Sequence, residues 1–95
     1  MYSVEELSQS IREIVAGYPI TKVILVGSYA QNAATNVSDI DLVIDGEDIA
    51  EAYWDILFAL EDRLDVPVDM ITMRGLENSL LKESMMEGAV TLYEA

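Results

Sequence analysis

Apolar residues recur at helical spacing in two long stretches of the chain. The first follows Ser3 and Glu6, whose spacing is that of a capping box, and it ends before Gly17 and Pro19. Its apolar stripe consists of Val4, Leu7, Ile11, Ile14 and Val15. The second stretch, Ile49 to Leu64, is the clearest helix of the sequence.

Shorter apolar segments alternate with these helices and predict four strands. They cover residues 22–26, 39–45, 66–72 and 89–93, and two further helices are predicted at 28–34 and 76–87. This order predicts an α/β (α+β) fold, in which a mixed sheet of about four strands is flanked by helices. The pattern does not fix the order of the strands. The length suits one domain over residues 1–95.

Composition narrows the chemistry that the chain can perform. Its 95 residues include 18 acids and five bases, a formal net charge of −13, and neither Cys nor His. Disulfides, thiolate metal sites and imidazole chemistry are therefore excluded. The acidity argues against direct nucleic-acid binding and favours a basic partner, a cationic ligand or bound metal. No apolar run spans a bilayer and the N-terminus does not resemble a signal peptide, so we expect a cytoplasmic protein.

Gly27 and Ser28 stand between a predicted strand and a predicted helix. Glycine lets the backbone approach a ligand closely, and a serine at a helix start offers donors to a phosphate. Taken alone, the pair is more simply explained by a turn with an N-cap. The two residues therefore indicate a phosphate site only in combination with other features.

Asp39 and Asp41 lie two apart on a predicted strand, so their carboxylates share one face. Oxygen-only ligands of this kind suit Mg²⁺, and a solvated acidic edge strand is the alternative. Asp69 lies within another apolar strand, where an isolated acid is costly unless it is paired or bound to metal. A salt bridge to Lys22 or Arg74 is the alternative for Asp69. If the two strands are neighbours, three carboxylates meet in a site for two metal ions.

The chain contains the motif Gly27-Ser28-Tyr29-Ala30 and then Asp39-Ile40-Asp41, with ten residues between Ser28 and Asp39. This combination resembles the signature of the DNA polymerase β-like nucleotidyltransferases. The chain is most similar to the minimal nucleotidyltransferases, the MNT antitoxins that are paired with HEPN toxins. Asp69 and the final helix, glycine and strand also fit that family, so the resemblance covers nearly the whole chain.

The resemblance implies an enzyme that uses Mg²⁺ and a nucleoside triphosphate, usually ATP. It implies that Gly27 and Ser28 hold the triphosphate, that Asp39 and Asp41 bind both metal ions, and that Asp69 binds the catalytic metal and activates the acceptor. Gln31-Asn32 stands where the family commonly has Arg-Gly. Gln31 can donate a hydrogen bond to the nucleotide but supplies no charge, so we expect weaker triphosphate binding and turnover.

A domain of this size offers only one wall of an acceptor site, so we expect another molecule to complete it. By resemblance, that molecule is a HEPN ribonuclease toxin whose tyrosine receives AMP, and the acidic charge suits a basic partner. Two alternatives remain open: a catalytically weak module that neutralises the toxin by occlusion, and transfer to a small molecule such as an aminoglycoside, with a homodimer completing the pocket.

Trp54 and Phe58 lie one turn apart at the margin of the apolar stripe of the long helix. We expect them to widen the core face of that helix. The alternative is an exposed aromatic anchor for a partner or a second copy of the chain.

Overall fold

The computed structural model describes residues 2–95. The elements in chain order are α1 (Val4–Val15), β1 (Ile20–Val26), α2 (Gly27–Ala30), β2 (Ile40–Gly46), α3 (Ile49–Leu64), β3 (Val68–Thr72), α4 (Met73–Glu77), α5 (Lys82–Met86) and β4 (Val90–Glu94). The two long helices are confirmed, and α3 has the predicted bounds. The capping box at the start of α1 is formed, since the Ser3 hydroxyl accepts from the Glu6 amide and the Glu6 carboxylate accepts from the Ser3 amide.

The four strands form one mixed sheet in the order β3-β2-β1-β4. Strand β1 is antiparallel to both β2 and β4, whereas β2 and β3 are parallel and are joined by the crossover helix α3. The predicted fold class is therefore confirmed, and the strand order is new information. The parallel pair matters for the site because it carries all the candidate acids on or next to adjacent strands.

Each face of the sheet has its own core. The larger core packs α1 and α3 against one face, to which β2 contributes Ile40, Leu42 and Ile44. The smaller core lies on the other face, where Val43 packs with Val26 and Leu76. The alternation predicted for β2 is therefore confirmed, and Asp41 shares the face of Val43.

Two predicted helices are shorter than expected. The helix predicted at 28–34 begins at Gly27 and ends at Ala30, so its dipole is small. The helix predicted at 76–87 is wrong as one element, because it divides into α4 and α5. Thr72 caps the Gly75 amide and starts α4 early, and the Ser79 hydroxyl accepts from the Leu81 amide at 3.1 Å, which favours a turn between the two helices.

Side chains from the helices cover backbone groups on both edges of the sheet. On β3, the Tyr53 hydroxyl donates to the Met70 carbonyl, and the Glu61 carboxylate accepts from the Val68 amide at 3.1 Å. On β4, the Leu92 carbonyl accepts from the Ser8 hydroxyl at 3.0 Å and from the Arg12 guanidinium at 3.3 Å. These contacts also fix α1 and α3 against the sheet margins.

The prediction that Trp54 and Phe58 belong to the core is wrong. Their exposed fractions are 62% and 60%, and their rings pack on each other with centroids 6.0 Å apart. The stripe of α3 that faces the sheet is already filled by Ile56, Leu57 and Leu60, so the two aromatic rings project outward. Within residues 2–95, no helix is both long and apolar enough to cross a membrane.

Candidate active site

Asp41 and Asp69 occupy directly opposed positions of the parallel pair. In the register of β2 and β3, Asp41 aligns with Asp69, next to the pair formed by Ile40 and Val68. Parallel strands in register point matched side chains to the same face, about 4.8 Å apart. The pairing of β2 with β3 therefore brings together two acids that are 28 positions apart in the chain.

The electrostatics of Asp41 show how close these carboxylates are. Partial burial, the negative charge of Asp69, a hydrogen bond to the Asp69 side chain and the charge of Asp39 raise the pKa of Asp41 from 3.8 to about 6. Burial is the largest of these causes. The cluster therefore concentrates negative charge at one half-buried carboxyl, and a cation between the acids would relieve this repulsion.

Asp39 lies immediately before β2 and is exposed. The preceding turn is held by Ser38, whose hydroxyl accepts from the Thr35 amide at 2.8 Å and whose amide donates to the Thr35 carbonyl at 3.1 Å. This turn fixes where β2 begins. Asp39 therefore approaches Asp41 from the strand end, while Asp69 approaches from the neighbouring strand.

Gly27 packs against the Asp41 carboxylate. Its φ of +73° is a conformation that favours glycine, and a Cβ added there would lie 3.1 Å from Asp41 Cγ and closer still to Oδ2. Glycine is therefore required for the backbone turn and for the position of the acid. This contact joins the glycine-serine turn and the aspartate cluster into one site.

Asp41 lines two hollows. The smaller, about 220 Å³, is lined by Val26, Gly27, Gln31, Asp41, Ser84 and Met85. The larger, about 330 Å³, shares Val26, Asp41 and Met85 with the smaller one and includes Asp69. Its other walls are formed mainly by α3 and β3, through Tyr53, Trp54, Leu57, Met70 and Ile71 among others. We call them the glycine-side hollow and the α3-side hollow. The sequence offers no signal for Ser84 and Met85, and it does not place Trp54 at this hollow, because these contributions depend on how α3 and α5 dock onto the sheet.

The residues predicted to bind the nucleotide do not all line the same hollow. Gly27 and Gln31 line the glycine-side hollow, whereas Ser28 is half-buried on the adjacent turn and does not line it. The side-chain amide of Gln31 donates to the backbone carbonyl of Glu87 at 3.3 Å, and this bond ties α2 to the end of α5. Because α2 has only four residues, backbone amides rather than a helix dipole are the donors available at this turn.

The alternative of a salt bridge for Asp69 is wrong. Within residues 2–95, the ion pairs are Lys22 with Glu94 and Arg63 with Glu13. Asp69 is instead exposed beside Asp41. Within the described residues, the Asp69 carboxylate therefore forms no ion pair with a basic side chain.

The acids suit a hard divalent cation in chemistry and position. All three offer carboxylate oxygens, and Asp41 lies close enough to the other two for their charges to raise its pKa. Within the described residues, no three such side chains already stand in a ligating arrangement. Since Asp39 and Asp69 are exposed, their side chains can rotate towards an ion beside Asp41.

Comparison with known proteins gives a consistent family. The nucleotidyltransferase domain family matches residues 4–92. A Methanocaldococcus jannaschii protein, named as a candidate protein adenylyltransferase, is 30% identical, and the alignment covers 90% of each chain.

Solved structures share the fold. A candidate minimal nucleotidyltransferase superposes with a TM-score of 0.75 at 28% identity, covering 94% of this chain and 95% of the other. A complex of tri-AMPylated Shewanella oneidensis HEPN toxin with MNT antitoxin contains a chain that superposes with a TM-score of 0.69 at 20% identity. That superposition covers 97% of this chain and 73% of the other, and it establishes a shared fold.

Proposed function

The chain belongs to the nucleotidyltransferase domain family, and on that premise we propose that it transfers AMP from ATP to a hydroxyl group of a partner protein. The hydroxyl oxygen forms a bond to the α-phosphorus of ATP. The bond from that phosphorus to the oxygen bridging to the β-phosphate breaks, and pyrophosphate leaves. The hydroxyl proton passes to a carboxylate.

The observation that carries this proposal is the packing of Gly27 and Asp69 around Asp41. The glycine contacts the Asp41 carboxylate from one strand end, and Asp69 opposes it across the parallel pair. A reaction at phosphorus needs charge stabilisation and an aligned nucleophile more than it needs covalent chemistry. Clustered carboxylates beside a turn that admits close backbone approach provide a frame for both.

Each residue has a separate role in this proposal. Asp39, Asp41 and Asp69 would hold Mg²⁺, which neutralises the phosphate charge when bound. Asp69, on the edge strand, also accepts the proton of the attacking hydroxyl. The Gly27 turn and Gln31, which line the glycine-side hollow, bind the triphosphate by hydrogen bonds, and Ser28 reaches it from the adjacent turn by rotation of its side chain.

We propose that the acceptor is a tyrosine of a HEPN toxin and that the chain acts as its antitoxin. The relative in Methanocaldococcus jannaschii is named for adenylylation of proteins, and a structural neighbour is an antitoxin in complex with an AMPylated HEPN toxin. The net charge of −13 favours association with a basic ribonuclease.

The test is to incubate the chain with its HEPN-domain partner, ATP and Mg²⁺ and to measure the intact mass of the partner. We expect the partner to gain AMP with the native chain and not with D69N. D45N is the matched control, because Asp45 is an exposed acid of the neighbouring strand β2 and lies outside both hollows. Absence of AMP from the partner with the native chain, or equal transfer by D69N, contradicts the proposal.

Neutralisation by occlusion is the second candidate, and the contact of Gln31 favours it. The side chain at this position is uncharged and already donates to the Glu87 carbonyl, so it offers the triphosphate less than a free cation would. A double variant, D39N with D41N, separates the two functions. If it still neutralises the toxin fully, occlusion is sufficient; if toxicity returns while the complex persists, AMP transfer is required.

A further inference from the structure

Trp54 forms part of the wall of the α3-side hollow and yet is largely exposed. It lines the hollow together with Asp41 and Asp69, while 62% of its surface faces solvent. Its ring packs edge-on against Tyr53 with centroids 5.1 Å apart, and the Tyr53 hydroxyl is anchored on the Met70 carbonyl. Trp54 is therefore held in place at the mouth of the hollow.

The two hollows share Asp41 but differ in the rest of their lining, since Gly27 and Gln31 line only the smaller one and Asp69 lines only the larger one. In an in-line displacement the attacking oxygen and the leaving oxygen are on opposite sides of the phosphorus. The triphosphate, including its leaving pyrophosphate, is assigned above to the Gly27 turn, which lines the glycine-side hollow. The attacking hydroxyl therefore approaches from the α3-side hollow, where Asp69 is available to take its proton.

We propose that Trp54 and Phe58 form the docking platform for the acceptor-bearing segment of the partner protein, a segment with an apolar or aromatic side chain flanked by basic residues. This inference rests on the proposed function and adds the route by which the acceptor enters. The platform is continuous with the α3-side hollow through Trp54. Exposed acids of the same helix, Glu51, Asp55 and Asp62, lie along one flank of it and favour basic neighbours in the bound segment.

A fluorescence experiment tests the platform without depending on turnover. Trp54 is the only tryptophan of the chain, so its emission reports on this position alone. The probes are the HEPN-domain protein that receives AMP in the transfer assay, made as a tryptophan-free variant, and MgATP on its own. We expect the HEPN protein to protect Trp54 from acrylamide quenching and MgATP to leave quenching unchanged.

Three outcomes of that experiment overturn the inference. Protection by MgATP alone would assign Trp54 to the nucleotide base. Protection that increases with the concentration of the chain alone would assign the platform to a second copy. Unchanged quenching, in a mixture in which AMP transfer proceeds, would place acceptor docking elsewhere while leaving the proposed function intact.

Variants provide a second measurement. W54A should raise the KM for the protein acceptor by roughly ten- to thirty-fold, as expected for an aromatic anchor, and W54F should restore most of the loss. The Kd for MgATP should not change. L80A is the matched control, because Leu80 is fully exposed and lines neither hollow. Equal effects of W54A and L80A, or normal transfer by W54A, would refute the platform; failure of transfer by the native chain would instead refute the proposed function.

Discussion

Replacing Asp41 with Asn should make the protein more stable in the absence of metal and nucleotide. The pKa of Asp41 is raised from 3.8 to about 6, first by burial and then by Asp69 and Asp39. The ionised carboxylate therefore destabilises the folded chain at neutral pH. Asparagine has nearly the same shape, carries no charge and can donate to Asp69.

The magnitude follows from the pKa. At about 1.4 kcal/mol per pKa unit, the rise corresponds to about 3 kcal/mol for a fully shielded group. Asp41 is only half-buried, so solvent screening reduces the expected gain to about 1 kcal/mol. For a domain of this size, that gain raises the melting temperature by about 4–8 °C.

The pH dependence has a defined sign. A carboxyl whose pKa is raised by folding has no destabilising effect below its unfolded pKa, and the full effect is present above its folded pKa. The advantage of D41N should therefore vanish only below pH 3.8, be small at that pH, grow up to about pH 6 and remain constant above it. D69N should recover only part of the gain, because burial of Asp41 is the largest cause and persists in that variant.

Thermal unfolding in metal-free buffer between pH 4 and 8 provides the measurement. D45N is the control and should melt with the native chain, because the Asp45 carboxylate is exposed and an asparagine oxygen can still accept from the Gly46 amide. A D41N variant that is equally or less stable than the native chain at pH 7.5 would refute the account of crowded carboxylates.

Three further predictions concern neighbouring features. G27A should destabilise the fold by about 1–3 kcal/mol and reduce AMP transfer, because φ is +73° and the new Cβ meets the Asp41 carboxylate; unchanged melting would contradict this contact. Q31R should lower the Kd for MgATP about five-fold by adding a phosphate-binding cation, and calorimetry that shows equal affinity would mean that position 31 does not reach the nucleotide. S3A should lower the free energy of unfolding by about 1 kcal/mol in denaturant titrations, since the capping contact with Glu6 is lost; an unchanged midpoint would mean that the cap contributes nothing.

The elements that sequence predicts well are those with a strong local signal. Helix α3 matches its prediction at both ends because apolar residues repeat over 16 residues. Periodicity does not predict the division into α4 and α5, because Asn78 and Ser79 do not interrupt the apolar pattern, although their side chains bond to the nearby backbone. Side-chain hydrogen bonds to the nearby backbone do not change the spacing of apolar residues, so the pattern does not reveal them.

The candidate site shows the same difference between features with a local sequence signal and features that depend on tertiary packing. Alternation along β2 predicted that Asp39 and Asp41 share a face, but the position of Asp69 beside Asp41 depends on the pairing of β2 with β3, which periodicity does not encode. The exposure of Trp54 was also not predictable, since a ring at the margin of an apolar stripe can turn either way. In both cases the missing information is the docking of one element on another.

The covered edges of the sheet have a consequence for how the protein behaves in a crowded cell. Met70 and Leu92 present outward carbonyls that would otherwise template an incoming chain, and both already accept bonds from helix side chains. Stacking of copies into fibrils, or capture of an unfolded peptide as an extra strand, would first have to displace Tyr53 on one side and Ser8 with Arg12 on the other. We therefore expect the protein to resist aggregation through its sheet edges and to bind its partners through side chains rather than through backbone hydrogen bonds.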